Sequence, residues 1–153
     1  MLNRPLPKPA ADVGLLLARV LLGVVMFAHG YQKMLINGIG RTTDGFENLS
    51  IPLAIISASF VTVVEFLGGF LLIIGALTTL VCGLMSVVMV GAAVFVHIPK
   101  GIFVANGGWE LVGVITVGLL ALAAMGPGRY SVDRLVREYQ SRQREQTLAF
   151  ARG

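Results

Sequence analysis

The stretch LLIIGALTTLVCGLMSVVMVGAAVFV, Leu71 to Val96, contains no charged residue. A helix on the surface of a soluble protein carries a polar stripe that repeats about every 3.6 residues, and this stretch has none. A membrane-crossing helix needs about 20 mostly apolar residues. The short segment Ala76 to Thr79 holds turn-compatible residues, so the stretch predicts the end of one membrane helix and an antiparallel neighbour that follows directly.

The composition of the whole chain supports the same fold class. The 153 residues are 56% hydrophobic and 13% charged, whereas about 25% of the residues of a soluble domain are charged. We therefore predict an all-α fold, an integral membrane four-helix bundle with a short interfacial C-terminal helix. The predicted membrane helices span residues 13–34, 53–75, 78–98 and 108–125. Nothing in the chain predicts a nucleic-acid partner, and a homo-oligomer is left open.

The segments outside the predicted helices carry most of the positive charge. Residues 1–12 are predicted to form a leader, residues 13–128 the bundle and residues 129–153 a basic tail, in which an amphipathic helix starts at Ser131. Leader and tail hold eight Lys and Arg residues: Arg4, Lys8, Arg129, Arg134, Arg137, Arg142, Arg144 and Arg152. Lys and Arg concentrate on the cytoplasmic side of membrane proteins, so both termini are predicted to be cytoplasmic. Residues 35–52 are predicted to form an outer loop, and the last ten residues a solvated tail.

Two charged residues fall inside predicted membrane helices. Arg19 lies about six residues from the inner end of the first helix, and Glu65 about ten from the inner end of the second. At about 1.5 Å per residue, an arginine side chain spans that difference in depth. Because an unpaired charge in hydrocarbon is costly, we predict a structural ion pair between Arg19 and Glu65.

A second polar group is predicted at the outer mouth of the bundle. His29 and His97 lie near the outer ends of the first and third helices, and Glu110 begins the fourth. These three are the candidate catalytic residues. The candidate ligand-binding set is His29, Lys33, His97, Asn106, Trp109 and Glu110.

The mouth residues allow four interpretations. The histidines could simply bond loop carbonyls at the interface. They could hold a quinone head group and pass protons, since imidazole and carboxylate groups do both. They could ligate haem between two parallel helices, or join Glu110 around a metal ion, although no tight ligand spacing supports a metal site. The single cysteine, Cys82, excludes dithiol chemistry within one chain.

Several motifs resemble those of the DoxX-like family of small bacterial membrane proteins. They are the Arg and HGxxK of the first helix, EFLGG in the second, an H-x-P-x-G-x-F…NGG-x-E turn, and a closing GPGRYSVD. They fall on Arg19, His29, Gly30, Lys33, Glu65 to Gly69, His97, Pro99, Gly101, Phe103, Asn106 to Gly108, Glu110, and Gly126 to Asp133.

The resemblance implies a four-helix bundle in a bacterial plasma membrane, linked to quinone-dependent or thiol-dependent oxidoreduction and oxidative stress. Soluble oxidoreductase or sulfurtransferase partners are implied in the same way. The chain lacks the paired cysteines of the similar vitamin K epoxide reductase bundle. Three functions therefore stay open: a subunit of a membrane oxidoreductase system, a non-catalytic scaffold that recruits soluble enzymes, and a small transporter component.

Overall fold

The computed structural model describes residues 7–151, and these residues are almost entirely helical, with no strand among them. Of the predicted leader and tail, residues 1–6 and 152–153 lie outside the described part. The α-helices are α1 (Lys8–Tyr31), α2 (Gly38–Asn48), α3 (Ala54–Ile74), α4 (Thr78–Ala92), α5 (Glu110–Met125) and α6 (Val132–Phe150). Two π-helical segments, Gln32–Asn37 and Ala93–His97, extend α1 and α4. The predicted all-α membrane fold is confirmed.

The outer surface of the helices is apolar enough to face lipid. Lys8–Asn48, Ala54–Ile74 and Thr78–Lys100 are helical, long and hydrophobic enough to cross a membrane, and α5 is a shorter apolar helix. Large side chains such as Val114 and Val117 of α5 are 71% and 68% exposed. A soluble protein rarely exposes apolar patches of this extent, so the hydrocarbon of a bilayer is their natural surroundings.

Helices α1 and α3 pack closely because glycines line their contact. A Cβ atom on Gly23 would lie 2.8 Å from the side chain of Ile73, and one on Gly69 would lie 2.7 Å from Cα of Phe27. Gly30 is equally tight against the backbone of Phe66. Small residues let membrane helices approach at backbone distance. The antiparallel contact therefore sets residues near 30 opposite residues near 66.

The apolar core lies mainly between α3, α4 and α5. Its fully buried members include Leu72, Cys82, Met85, Leu119 and Leu122. Helix α4 also meets α3 at Gly68, where an added Cβ atom would lie 3.0 Å from Cε of Met85. Gly83 and Gly91 have no atom within 4 Å of an added Cβ, so these two glycines do not serve helix contact.

The end of the bundle that carries the turn between α3 and α4 is called the tail end. Gly75 adopts a positive φ of 73° there, and its carbonyl accepts a hydrogen bond from the backbone N–H of Asp133. The Asp133 carboxylate in turn accepts bonds from the N–H groups of Leu77 and Thr78, at 2.7 and 2.9 Å. These are free donors at the N-terminus of α4, so the start of α6 caps α4.

The outer loop predicted at residues 35–52 is mostly helical instead. The chain continues through the π-helical segment into α2, and Gly38 turns the chain with a φ of 77°. The glycines and asparagines of this stretch resemble a loop because they are turn formers. Only Gly38 among its glycines adopts a positive φ, so the rest of the stretch folds as a helix that packs on α3.

The C-terminal helix is longer than predicted. Ser131 caps it by accepting a hydrogen bond from the N–H of Arg134, as the sequence suggested. Helix α6 then continues to Phe150, through most of the residues expected to be a solvated tail. It has no buried residue, and its predicted position at the membrane interface stays a prediction.

Candidate functional site

The other end of the bundle, here called the histidine end, contains two adjacent cavities. The end cavity has a volume of about 160 Å³ and is lined by Met26, His29, Lys33, Glu65, Met89, Ala92, His97, Val104, Gly107, Gly108, Leu111, Val112 and Ile115. The side cleft has a volume of about 380 Å³ and lies mainly between α3 and α4. Lys33, Glu65 and His97 line both spaces. They form the polar wall that the two cavities share.

Lys33 and Glu65 form an ion pair in that wall. Lys33 Nζ donates to Glu65 Oε2, and the lysine and glutamate side chains are 22% and 3% exposed. The antiparallel contact of α1 and α3 sets these two positions opposite each other. Lys33 lies in the π-helical extension of α1, and His97 ends the π-helical extension of α4. Such segments are rare and occur often at functional sites.

The predicted ion pair between Arg19 and Glu65 is wrong. Arg19 is 2% exposed at the tail end, where its Nη1 donates to the carbonyl of Pro127 at 2.6 Å. Its Nη2 donates to the carbonyl of Tyr130 at 2.5 Å. Gly23 of α1 packs against Ile73 of α3, so Arg19, one turn nearer the start of α1, lies at the level of Gly75. Glu65 precedes Gly75 by ten residues, so it lies about 15 Å from the level of Arg19 along the axis of α3.

Each histidine of the end cavity donates its Nδ1 proton to a backbone carbonyl. The ring of His29 bonds the carbonyl of Val25 at 2.9 Å, and that of His97 bonds the carbonyl of Gly107 at 2.7 Å. A carbonyl only accepts, so Nδ1 must carry the proton. A neutral imidazole then keeps an unprotonated Nε2, which accepts a hydrogen bond or binds a metal.

The other predicted ligand-binding residues serve the turn before α5. Glu110 Oε1 accepts from the N–H of Val104 at 2.5 Å, and Asn106 and Trp109 line neither cavity. Gly107 has a φ of 79° in this turn. An added Cβ on Gly108 would lie 2.5 Å from the carbonyl oxygen of Gly101. Most residues of the H-x-P-x-G-x-F…NGG-x-E motif therefore build the turn. His97 is the residue of this motif that lines the polar wall between the two cavities.

The geometry of the histidine end bears on the interpretations of the mouth residues. Glu110 is committed to the turn, and residues 7–151 contain no group of three or more His, Cys, Asp or Glu side chains able to hold a metal ion. The bonds to loop and helix carbonyls do form. They leave Nε2 of both histidines without a hydrogen-bond partner among residues 7–151, so a small polar ligand could still be held. A cavity of about 150 Å³ accommodates one benzene ring, a size that suits the end cavity to a single ring.

The wrong partner was predicted for Glu65 for an identifiable reason. The HGxxK motif and the EFLGG motif hold Lys33 and Glu65 at similar distances from the Gly30 and Gly69 contacts. Pairing the two glycine-containing motifs antiparallel would have set Lys33 opposite Glu65 rather than Arg19. The π-helical turns themselves have no cue in the sequence that we recognise.

Comparison with known proteins identifies relatives over most of the chain. The family model described as DoxX matches residues 14–98. The uncharacterized membrane protein Rv3486 of Mycobacterium tuberculosis is 33% identical over 76% of this chain and 77% of its own length. The provisionally named oxidoreductase CatD of Bacillus subtilis is 30% identical over 72% of this chain and 79% of its own. The inner membrane protein YqjF of Escherichia coli is 30% identical over 84% and 96%. No solved structure matches.

Proposed function

Because this chain belongs to the DoxX family of membrane proteins, we propose that it is an integral subunit of an oxidoreductase system in a bacterial plasma membrane. Its end cavity binds a small molecule with a quinone-type ring. The residues that hold this molecule are His29, Lys33, Glu65 and His97. The name of the Bacillus subtilis relative supports an oxidoreductase role, and soluble partner enzymes would supply or remove the electrons.

The observation that carries the proposal is the Lys33–Glu65 pair in the wall between two cavities. Removing two charges from water costs several kcal/mol per ion, and apolar residues of similar volume often stabilise a protein as well or better. Ionisable groups at membrane depth usually line a pathway or a ligand site. A pair that borders empty space on both sides has room for a third polar partner, as a ligand site requires.

The chemistry of the four residues suits a ring with oxygen substituents. Lys33 keeps N–H donors beyond the one bound to Glu65, because an ammonium group has three. The Nε2 atoms of the two histidines accept hydrogen bonds from hydroxyl groups. A quinol hydroxyl could therefore donate to an imidazole, and a quinone oxygen could accept from Lys33. The same imidazoles could take up the proton that a quinol releases on oxidation.

The test is the small-molecule content of the purified protein. Organic extracts of the detergent-solubilised protein are analysed for quinones by chromatography and mass spectrometry. We expect near-stoichiometric quinone in the native protein and a loss of about tenfold or more in Glu65→Gln and His97→Asn, since the first removes the charge that holds Lys33 and the second removes the Nε2 acceptor. Asn106→Ala, on an exposed residue outside both cavities, is the matched control and should retain the ligand.

Two results would contradict the proposed site. Quinone that is retained equally by all three variants would place its binding elsewhere. A Soret band in the absorption spectrum, lost in His29→Ala and His97→Ala, would instead assign the two Nε2 atoms to haem iron.

A scaffold role is the second candidate, and α6 favours it. The helix has no buried residue and carries four arginines beside Asp133, Glu138 and Glu145, so it offers a long, highly charged surface to a partner. A stop codon after Gln140 removes Arg142, Arg144 and the rest of the exposed helix, but it keeps the Asp133 cap. If this truncation abolishes complementation of a deletion strain under oxidant stress while His97→Asn complements fully, the scaffold role replaces the ligand site.

A further inference from the structure

The side cleft has a different character from the end cavity. Apart from Lys33, Glu65, His97 and Ser57, its lining is apolar and includes the side chains of Phe60, Val61, Val87, Val88 and Phe95. Its volume of about 380 Å³ lies within the usual range of about 300–1,000 Å³ for small-molecule sites. It is therefore large enough to hold a ligand in its own right.

The cleft exists because α3 and α4 separate toward the histidine end. The two helices are joined by the short turn at Gly75 and still touch at Gly68, beside Met85. Beyond that contact, Glu65 and Val61 of α3 face Val88 and Gly91 of α4 across open space. Gly91 has no atom within 4 Å of an added Cβ, so its missing side chain leaves this part of the cleft open.

The rim of the cleft lies on the surface that faces lipid. Phe60, Val87 and Phe95 line the cleft and are 46%, 65% and 42% exposed. The deep end of the cleft, away from the lipid, is the polar wall of Lys33, Glu65 and His97. A molecule in the cleft would thus have hydrocarbon around one end and hydrogen-bonding groups at the other.

The charge of the wall restricts the head group of that molecule. Lys33 and Glu65 neutralise each other, so a charged head group would add an unbalanced charge in a medium of low dielectric constant. A hydroxyl or carbonyl head adds no charge. It could accept from a free N–H of Lys33, and a hydroxyl could donate to Nε2 of His97.

We infer that the side cleft holds the hydrocarbon chain of an uncharged, single-chain amphiphile, whose hydroxyl or carbonyl head reaches the wall of Lys33, Glu65 and His97. The ligand enters from the bilayer rather than from water. The inference rests on the proposed function for the type of head group and goes beyond it in assigning the cleft, the chain and the lateral route. Hydrocarbon is as apolar as the cleft walls, so the head group supplies the preference for the site.

The test uses a long-chain alcohol with a diazirine in its chain, added to the protein in lipid nanodiscs and photolysed. Peptide mass spectrometry then maps the labelled residues. We expect labelling of Val88, Gly91 and Ala92 above that of Val114 and Val117, which face lipid on α5. A phospholipid with the same diazirine, whose head is charged and which has two chains, should label the two sets equally.

Substitutions in the cleft make the test specific. Gly91→Leu fills the cleft from α4, and Val61→Phe narrows it from α3, so either should lower cleft labelling about tenfold, as expected when a binding free energy changes by about 1.4 kcal/mol. Gly83→Leu is the matched control because it lies on the same helix, has open space around it and lines neither cavity. Elution as a single species shows that each variant is folded.

The outcomes separate this inference from the proposed function. An excess of decyl-benzoquinol that suppresses cleft labelling supports both. Cleft labelling that Gly91→Leu removes but decyl-benzoquinol does not suppress supports the chain site and contradicts the quinone. Equal labelling of α4 and α5, unchanged by Gly91→Leu and Val61→Phe, overturns the inference.

Discussion

At the residue scale, Lys33 and Glu65 depend on each other. Replacing Lys33 with Met leaves the 3% exposed Glu65 side chain unpaired, and breaking a buried pair costs about 3–5 kcal/mol. We expect a loss near the lower limit, since Lys33 is 22% exposed. The double variant Lys33→Met/Glu65→Leu should regain most of that stability. The free energies of unfolding in mixed micelles measure both effects.

The control for this pair is Lys100→Met, which removes an exposed lysine from the same end of the bundle. It should change the free energy of unfolding by less than about 0.5 kcal/mol. If the effects of Lys33→Met and Glu65→Leu simply add, the two side chains do not interact as the structure indicates.

The partners of Glu65 and Arg19 show how much of the placement of buried charges could be predicted from the sequence. The cost of an unpaired charge in lipid correctly predicted that Glu65 would have a cationic partner inside the bundle. The identity of the partner depended on the register of α1 against α3, which the glycine contacts set. The contact of Gly23 with Ile73 places Arg19 at the tail end, where backbone carbonyls, rather than a carboxylate, accept its hydrogen bonds.

At the scale of elements, the contact between α1 and α3 depends on glycine. Gly30→Ala adds a methyl group against the backbone of Phe66, which cannot move aside as a side chain could. Overpacking of this kind typically costs about 1–3 kcal/mol, and we expect the variant to lower the apparent melting temperature in detergent. Gly83→Ala adds the same methyl group to open space on α4 and should be neutral or slightly stabilising. Equal destabilisation by both substitutions would contradict the close contact.

The cap that α6 provides for α4 makes stability depend on pH. Burial raises the pKa of Asp133, but bonds from Thr78 and Leu77 and the charge of Arg137 outweigh it and lower the pKa below its ordinary value. The cap is therefore fully present above the unfolded pKa of about 3.9. Its contribution is lost as the pH falls through the lower, folded value.

Asp133→Asn tests this cap. We expect it to cost about 1 kcal/mol at neutral pH, the usual loss for a helix cap. The difference in unfolding free energy between the native protein and the variant should shrink as the pH falls from about 4 through the lower, folded pKa of Asp133, because the carboxyl group takes up a proton first in the unfolded and then in the folded state. Unfolding followed by circular dichroism between pH 3 and 7 measures it. A difference that stays constant over this range would show that the Asp133 charge does not contribute to the cap.

The elements also show where turn chemistry misled the sequence analysis. Glycine and asparagine at residues 37–45 are typical of loops, yet α2 forms because it packs on α3 and a single glycine, Gly38, makes the bend. The GPGRYSVD motif could have been assigned to the tail end from its position after the last apolar run. Its bonds to Arg19 and to the start of α4 join residues more than 50 positions apart, which local patterns do not report.

At the scale of the whole molecule, the distribution of Lys and Arg predicts which side of the membrane each end faces. We propose that the tail end is cytoplasmic and the histidine end faces outward. A cysteine at Asp44 should react with a membrane-impermeant thiol reagent added to intact cells, and one at Arg142 should react only after the cells are opened. The buried Cys82 is first replaced with Ser to remove background. The reverse pattern would invert the topology.

The overall fold could be predicted from the sequence more completely than the site. An apolar stretch without charges dictates helices in lipid, because only regular hydrogen bonding satisfies a backbone there. The motifs shared with the family then located the polar groups near each end. The two cavities could not be predicted, since they arise from open space between α3 and α4 and are lined by Lys33 and His97, which lie in π-helical turns.

A density map of the protein extracted in native lipid nanodiscs, without added ligand, tests the central claim most directly. We predict an elongated density in the side cleft that ends in a compact head within hydrogen-bonding distance of Lys33 Nζ and of Nε2 of His97. The density should be absent from a map of Glu65→Gln. Empty cavities, or a density confined to the outer surface of α5, would contradict the account.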